Sequence, residues 1–195
     1  MDEKIGNNPM MKKFLDDFDG DDEAEKMGNA FGKPWENPKN YREKEKQFLK
    51  AEMEEMEKLA KKLEKKERKY IADLTGSAIY CRKQIEKVLP LGLVVYLSAR
   101  QDQYKKMQQN FLADPKPVCW DEVLDDWDTA VEEVEVNAKD KLSELYAKLL
   151  DSRHRLYETN ADIILPWEIH REEANIDNPQ TLIDAIKNKV DLATK

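Results

Sequence analysis

NYREKEKQFLKAEMEEMEKLAKKLEKKERKYIADL, residues 40–74, holds no proline or glycine, and none follows before Gly76. Over residues 43–69, 18 of 27 side chains are charged. A narrow apolar seam still runs through them: Leu49, Met53, Met56, Ala60 and Leu63, then Tyr70 and Leu74, with Glu67 on the missing inner position. The intervals of four and three are heptad spacing, which keeps one edge of a helix apolar. Glu54–Lys58, Glu57–Lys61 and Glu64–Arg68 stand at i,i+4 with the acid first, the more favourable order. With Asn40 as N-cap, the stretch predicts a long solvated helix with one adhesive edge.

Outward from this helix the pattern stays helical. Charged residues make up 38% of the chain, against about 25% in an average globular protein, and only 6 of 195 residues are glycine. Few tight turns are therefore available. The expected fold class is all-α with no sheet: a long charged helix with a coiled-coil-like seam, a small helical bundle and an acidic N-terminal arm. Three segments follow, 1–39, 40–89 and 90–195.

In the first, residues 16–25 hold seven acids in ten positions, and four glycines and three prolines interrupt the chain. Such a segment buries too little apolar area to offset its ordering entropy, so an arm disordered alone or docked on a partner is expected, with a short helix over residues 9–18. Its large apolar residues, Phe14, Leu15, Phe18, Phe31 and Trp35, read as anchors for a surface of this protein or of another.

The second segment carries the long helix on past Gly76 to Leu89, where Pro90 forces a break. In the third, a helix is expected over 91–111, with Val94, Tyr96, Leu97, Tyr104, Met107 and Phe111 facing inward, followed by the loop 113–118. A further helix begins near Trp120 and repeats apolar residues at helical spacing through Trp127, Leu142, Leu145, Leu149 and Leu156, with Asn160 as C-cap. Its first turns are acidic, and Arg153, His154 and Arg155 are read as suiting its C-terminal end. Asn178 and Pro179 cap and open a closing helix to about Leu192.

Charge and motif narrow the function. A net charge of −8 and a pI near 5.0 argue against general nucleic-acid binding, which requires a basic face. The most apolar window, 88–97, is too short to span a bilayer and contains Pro90 and Gly92, so no membrane insertion is expected. The first 30 residues carry no secretory pattern, and a cytoplasmic, intracellular or virion setting is the expectation. Cys81 and Cys119 read as free buried thiols.

No catalytic, cofactor or metal residues are assigned. A calcium loop centred on Gly20 would need oxygen ligands where Leu15 and Lys26 stand. Asp151 and His154 have the i,i+3 spacing of helical metal sites, but His170 is the only other histidine. Gly28 and Gly32 lack the lysine of a phosphate loop.

Two charge patches remain: Lys61, Lys62, Lys65 and Lys66 with Arg68 and Lys69, and eight acids over 121–135, with Trp120 and Trp127 on the other face. Their meeting, within the chain or between copies, would fix helix register more than strength. The expected function is a non-enzymatic structural, assembly or adaptor role, through protein partners or self-association. Its contacts would be Phe14, Phe18, Trp35, the seam residues Leu49, Met53, Met56, Leu63 and Tyr70, the four lysines, and Trp120 and Trp127. Viral machinery, a secretion or motility apparatus and a large enzyme complex are all suitable settings. The alternative is an acidic regulatory binder, an inhibitor or nucleic-acid mimic facing a basic protein surface.

Overall fold

The computed structural model describes residues 12, 15–16, 18–21, 23–34, 36–65, 71–124, 138–173 and 179–193. They are mostly helical, as an all-α class requires, with one addition: two short parallel strands.

Helix α1 (Glu23–Phe31) closes on Gly32, whose positive φ of 66° suits a residue without a Cβ and whose N–H reaches Gly28 O at 3.0 Å. Leu15, Ala30 and Phe31 are buried and Phe18 packs on the same core, so the described part of the arm docks on its own chain. Helix α2 (Pro38–Glu64) starts three residues earlier than expected. Asn37 is the cap, its side chain accepting from Asn40 N at 3.1 Å, and Pro38 sits in the first turn, where its missing N–H costs nothing.

The prediction that this helix continues to Leu89 is overturned. It ends at Glu64, and the chain returns as a 3-10 turn (Ala78–Tyr80) and helix α3 (Arg82–Val88), both packed on α2. The seam drives the return: Met56 and Ala60 are buried against Ala78, Ile85 and Val88, with Leu59, Leu63 and Leu74 around them. Lys87 Nζ meets Glu57 Oε1 at 2.5 Å across the hairpin and holds that carboxyl below its usual pKa.

The expected helix over 91–111 is also corrected. A 3-10 turn (Leu89–Leu91) leads to strand β1 (Val95–Leu97), and only then to helix α4 (Gln101–Ala113). The turn Asp121–Leu124 precedes helix α5 (Ala138–Asn160), then come strand β2 (Ile163–Leu165), a π-helical turn (Glu168–Glu173) and helix α6 (Pro179–Ala193). The closing helix begins at the proline its sequence indicates. The strands pair in parallel, Val95 with Ile163 and Leu97 with Leu165.

The main core joins α1, α2, α4 and α5. Phe111 and Tyr146 stack at 4.0 Å, Trp120 stands edge-on to both at 5.8 and 6.2 Å, and Phe31 meets Tyr41 at 5.2 Å. Leu142, Leu145 and Leu149 line the α5 side at the spacing its sequence shows.

Candidate functional site

Two regions concentrate polar side chains. The first is interior. On α2 the buried stripe is Tyr41, Glu45, Phe48, Ala51, Glu52, Met56 and Ala60, so two carboxylates lie on the apolar face. Tyr41 Oη donates to Val118 O at 2.9 Å and accepts from Val118 N at 3.0 Å. Glu45 Oε1 accepts from the N–H groups of Trp120 and Asp121, the latter at 3.0 Å. That grip holds Asp121 at a φ of 52°, a conformation an Asp tolerates better than most residues. From α5, Arg153 Nη2 donates to Cys119 O at 2.9 Å and its Nε to Tyr80 Oη at 3.0 Å. Tyr157 Oη donates to Gly76 O at 2.6 Å, and Thr75 Oγ1 donates to Glu52. Gly76 is small for a reason: a Cβ there would stand 3.0 Å from Arg153 Nη1.

Burial pushes Glu45 above its ordinary pKa, Tyr80 up to about 12 and the Cys81 thiol up to about 12, so the phenol and the thiol are held in their neutral forms. Both cysteines are free and buried, as their spacing suggests. A cavity of about 10 Å³ beside Tyr41 and Trp120 has room for about one water.

The second region surrounds β1, and both histidines of the chain reach it. Tyr96 Oη lies 2.9 Å from His154 Nδ1, and His154 Nε2 lies 3.3 Å from Glu158 Oε1. His170 Nε2 lies 2.9 Å from Ser98 O, so that nitrogen carries the proton. A carboxylate, an imidazole and a hydroxyl in line resemble a nucleophile relay. The phenol contradicts that use: burial, and then the Tyr104 hydroxyl beside it, push the Tyr96 pKa far above the ordinary phenol range. The relay positions a strand. Asp151, which stands three residues before His154, is paired with Arg155, and among the described residues no three or more His, Cys, Asp or Glu are grouped to hold a metal ion.

The geometry of β1 itself is informative. Val94 O accepts from Ile163 N at 3.1 Å, and Ser98 N donates to Leu165 O at 2.9 Å. Main-chain groups alternate sides along a strand, so the N–H and C=O of Val95 and Leu97 point away from β2. Among the described residues, nothing pairs with them. The strand pairing puts Leu97 beside Leu165 on one face; Leu165 is buried and Leu97 is 48% exposed. Leu93, two residues before Val95, is 52% exposed. The open edge falls within residues 88–99, the longest uncharged run in the chain.

Among the described residues expected to make contacts, Phe18, Leu49, Met56, Leu63 and Trp120 pack within the chain's own cores. Met56 is wholly buried against α3's side of the chain, and Trp120 is 1% exposed within the main core. Leu49, Met53, Leu63 and Phe18 are half-buried, with Leu49 and Phe18 packed on the main core and Leu63 on the hairpin core. Lys61, Lys62 and Lys65 are exposed at the end of α2. The described acids of the 121–135 patch do not meet them: Asp121 and Glu122 lie 3.6 and 3.5 Å from Arg82. Phe14, Trp35, Lys66, Tyr70 and Trp127 lie outside the described residues, as do acids 125–135. Arg153, His154 and Arg155 stand before the last turn of α5, where Arg153 ties loops and His154 holds Tyr96.

No protein-family model matches the chain, and no curated protein or solved structure matches it. No helix among the described residues is long and apolar enough to cross a membrane.

Proposed function

We propose that this chain acts by protein contact, as a non-catalytic adaptor or assembly subunit, and that β1 is the surface it presents. One observation carries the reading: a strand edge whose main-chain groups at Val95 and Leu97 have no partner among the described residues, flanked by exposed Leu93 and Leu97, in a run without charge. Edge strands of proteins that stay alone are commonly blunted by lysine or proline, and this one carries neither at its open positions. The bonds of Tyr41, Glu45 and Arg153 to the backbone of residues 118–121, and of His170 to Ser98 O, support the non-catalytic part, because they give these polar side chains a structural use.

The seam of α2 no longer carries the reading, since α3 covers much of it. A photoreactive benzoylphenylalanine at position 97, with Lys62 as control position, tests the proposal in an extract of cells that make the protein. Cross-linking to a polypeptide from 97 and not from 62 is expected. Equal or absent cross-linking from both positions would exclude β1 as the contact surface.

A further inference from the structure

We infer that the occupant of the β1 edge is an extended segment of a second polypeptide, added beside Val95 and Leu97 as a third strand. This rests on the reading of β1 as a contact surface and specifies its partner. Area decides the kind of occupant. A stable interface between folded subunits buries about 800 Å² on each side. Two half-exposed leucines offer on the order of 200 Å² of apolar surface, too little for a folded face. A single added strand needs less, because its affinity comes from main-chain hydrogen bonds, with side-chain pockets adding selectivity. Val95 and Leu97 offer two donors and two acceptors, all on one side of the strand.

Charge sets the chemistry of the segment. Nothing charged lies between Val88 and Ala99, and the first charge beyond, Arg100, is engaged by Asp102 at 3.0 Å and Glu168 at 3.3 Å. The segment is therefore apolar at alternate positions, so that its side chains extend the row formed by Leu93 and Leu97, and uncharged at its centre. The backbone at Gly92 is open, with nothing within 4 Å of where a Cβ would stand. β1 is also held in place before anything binds: His154 fixes Tyr96 and His170 fixes Ser98 from the closed side. A strand already ordered loses little entropy on pairing.

Amide hydrogen exchange on the full chain, residue by residue, tests this. In the free chain, Val95 and Leu97 amides should exchange at least about tenfold faster than Tyr96 and Ser98, since only the latter pair faces β2. Addition of the peptide acetyl-KVTVTVK-amide at millimolar concentration should slow Val95 and Leu97 about tenfold. The same peptide N-methylated at alternate residues should not. Val95→Pro removes one outward donor and leaves the ladder to β2 intact; Leu97→Lys puts a charge on the row. Either should abolish the protection.

No protection near β1, or equal protection by the methylated peptide, overturns strand addition while leaving the cross-linking test of β1 untouched. Protection that grows with the chain's own concentration, with doubled mass by light scattering, names a second copy and overturns the separate segment. Slow exchange of Val95 and Leu97 in the dilute free chain would mean the edge is already covered, and sinks both readings.

Discussion

Residues 118–121 and 94–98 are both irregular or short pieces of backbone pinned by side chains from helices, and they are finished differently. At 118–121 Tyr41 takes both main-chain groups of Val118, Arg153 takes the carbonyl of Cys119, and Glu45 takes the N–H groups of Trp120 and Asp121. At β1 the side facing β2 is satisfied, His154 and His170 hold Tyr96 and Ser98, and the outward groups of Val95 and Leu97 are left. Apolar content alone does not separate the two, since Trp120 and Leu97 are both large hydrophobes. Hydrogen-bond satisfaction does: the buried backbone of the loop is paired, whereas among the described residues nothing pairs with the outward groups of Val95 and Leu97, the edge for which we propose a partner strand.

The sharpest way to break this contrast is at its closed member. Trp120→Ala should cost about 3–5 kcal/mol by urea unfolding, the range for removing a large buried aromatic ring. A loss under about 1 kcal/mol would mean the loop is not locked as its bonds suggest.

Glu45→Gln sharpens the same point through pH. Burial raises the pKa of Glu45 above the usual 4.5, so the folded chain holds that proton more tightly than the unfolded one. The resulting stability is complete below the unfolded value and is lost as pH rises through the folded one. Gln keeps an oxygen for both N–H groups and does not titrate, so the expected change at pH 7 is about 1 kcal/mol. The wild-type chain should then gain on the variant as pH falls from 7 toward 4. A difference independent of pH would place Glu45 outside the lock.

Much of the helix content was readable, and what was hidden has a common cause. Helical spacing showed α2, α5 from Ala138 onward and α6, the start expected near Trp120 falling instead on a 3-10 turn, and Pro179 marked the start of α6 to the residue. Spacing does not say whether a seam meets its own chain, and so Met56 and Ala60 read as a partner's edge when α3 returns to cover them. The strands were missed because short apolar runs such as residues 95–97 and 163–165 look alike whether they are strand or buried helix. The lock at Trp120 was missed because Glu45 and Glu52 look like any acid in a charged helix. Their positions held a signal: Tyr41, Glu45, Phe48 and Glu52 share one face, about a quarter turn from Leu49 and Met53. An acid on the aromatic stripe of a helix is a candidate for holding backbone.

At the open member the effects should be smaller on folding and larger on binding. Tyr96→Phe removes the hydroxyl that meets His154 Nδ1 and should cost about 1 kcal/mol. If β1 is held in place by that bond, amides 95–98 should all exchange faster in the variant. Leu97→Lys is the smallest change of all in stability, within about 0.5 kcal/mol, because the side chain is half in water already. Yet it places a charge in the longest uncharged run of the chain, on an edge whose outward donors and acceptors have no partner among the described residues. A residue that folding does not need and binding does is the mark of a surface kept for a partner. The pair of measurements, unfolding and cross-linking on the same variant, decides it. Should Leu97→Lys instead cost as much stability as a core substitution, Leu97 belongs to the closed region and the contrast between the two fails.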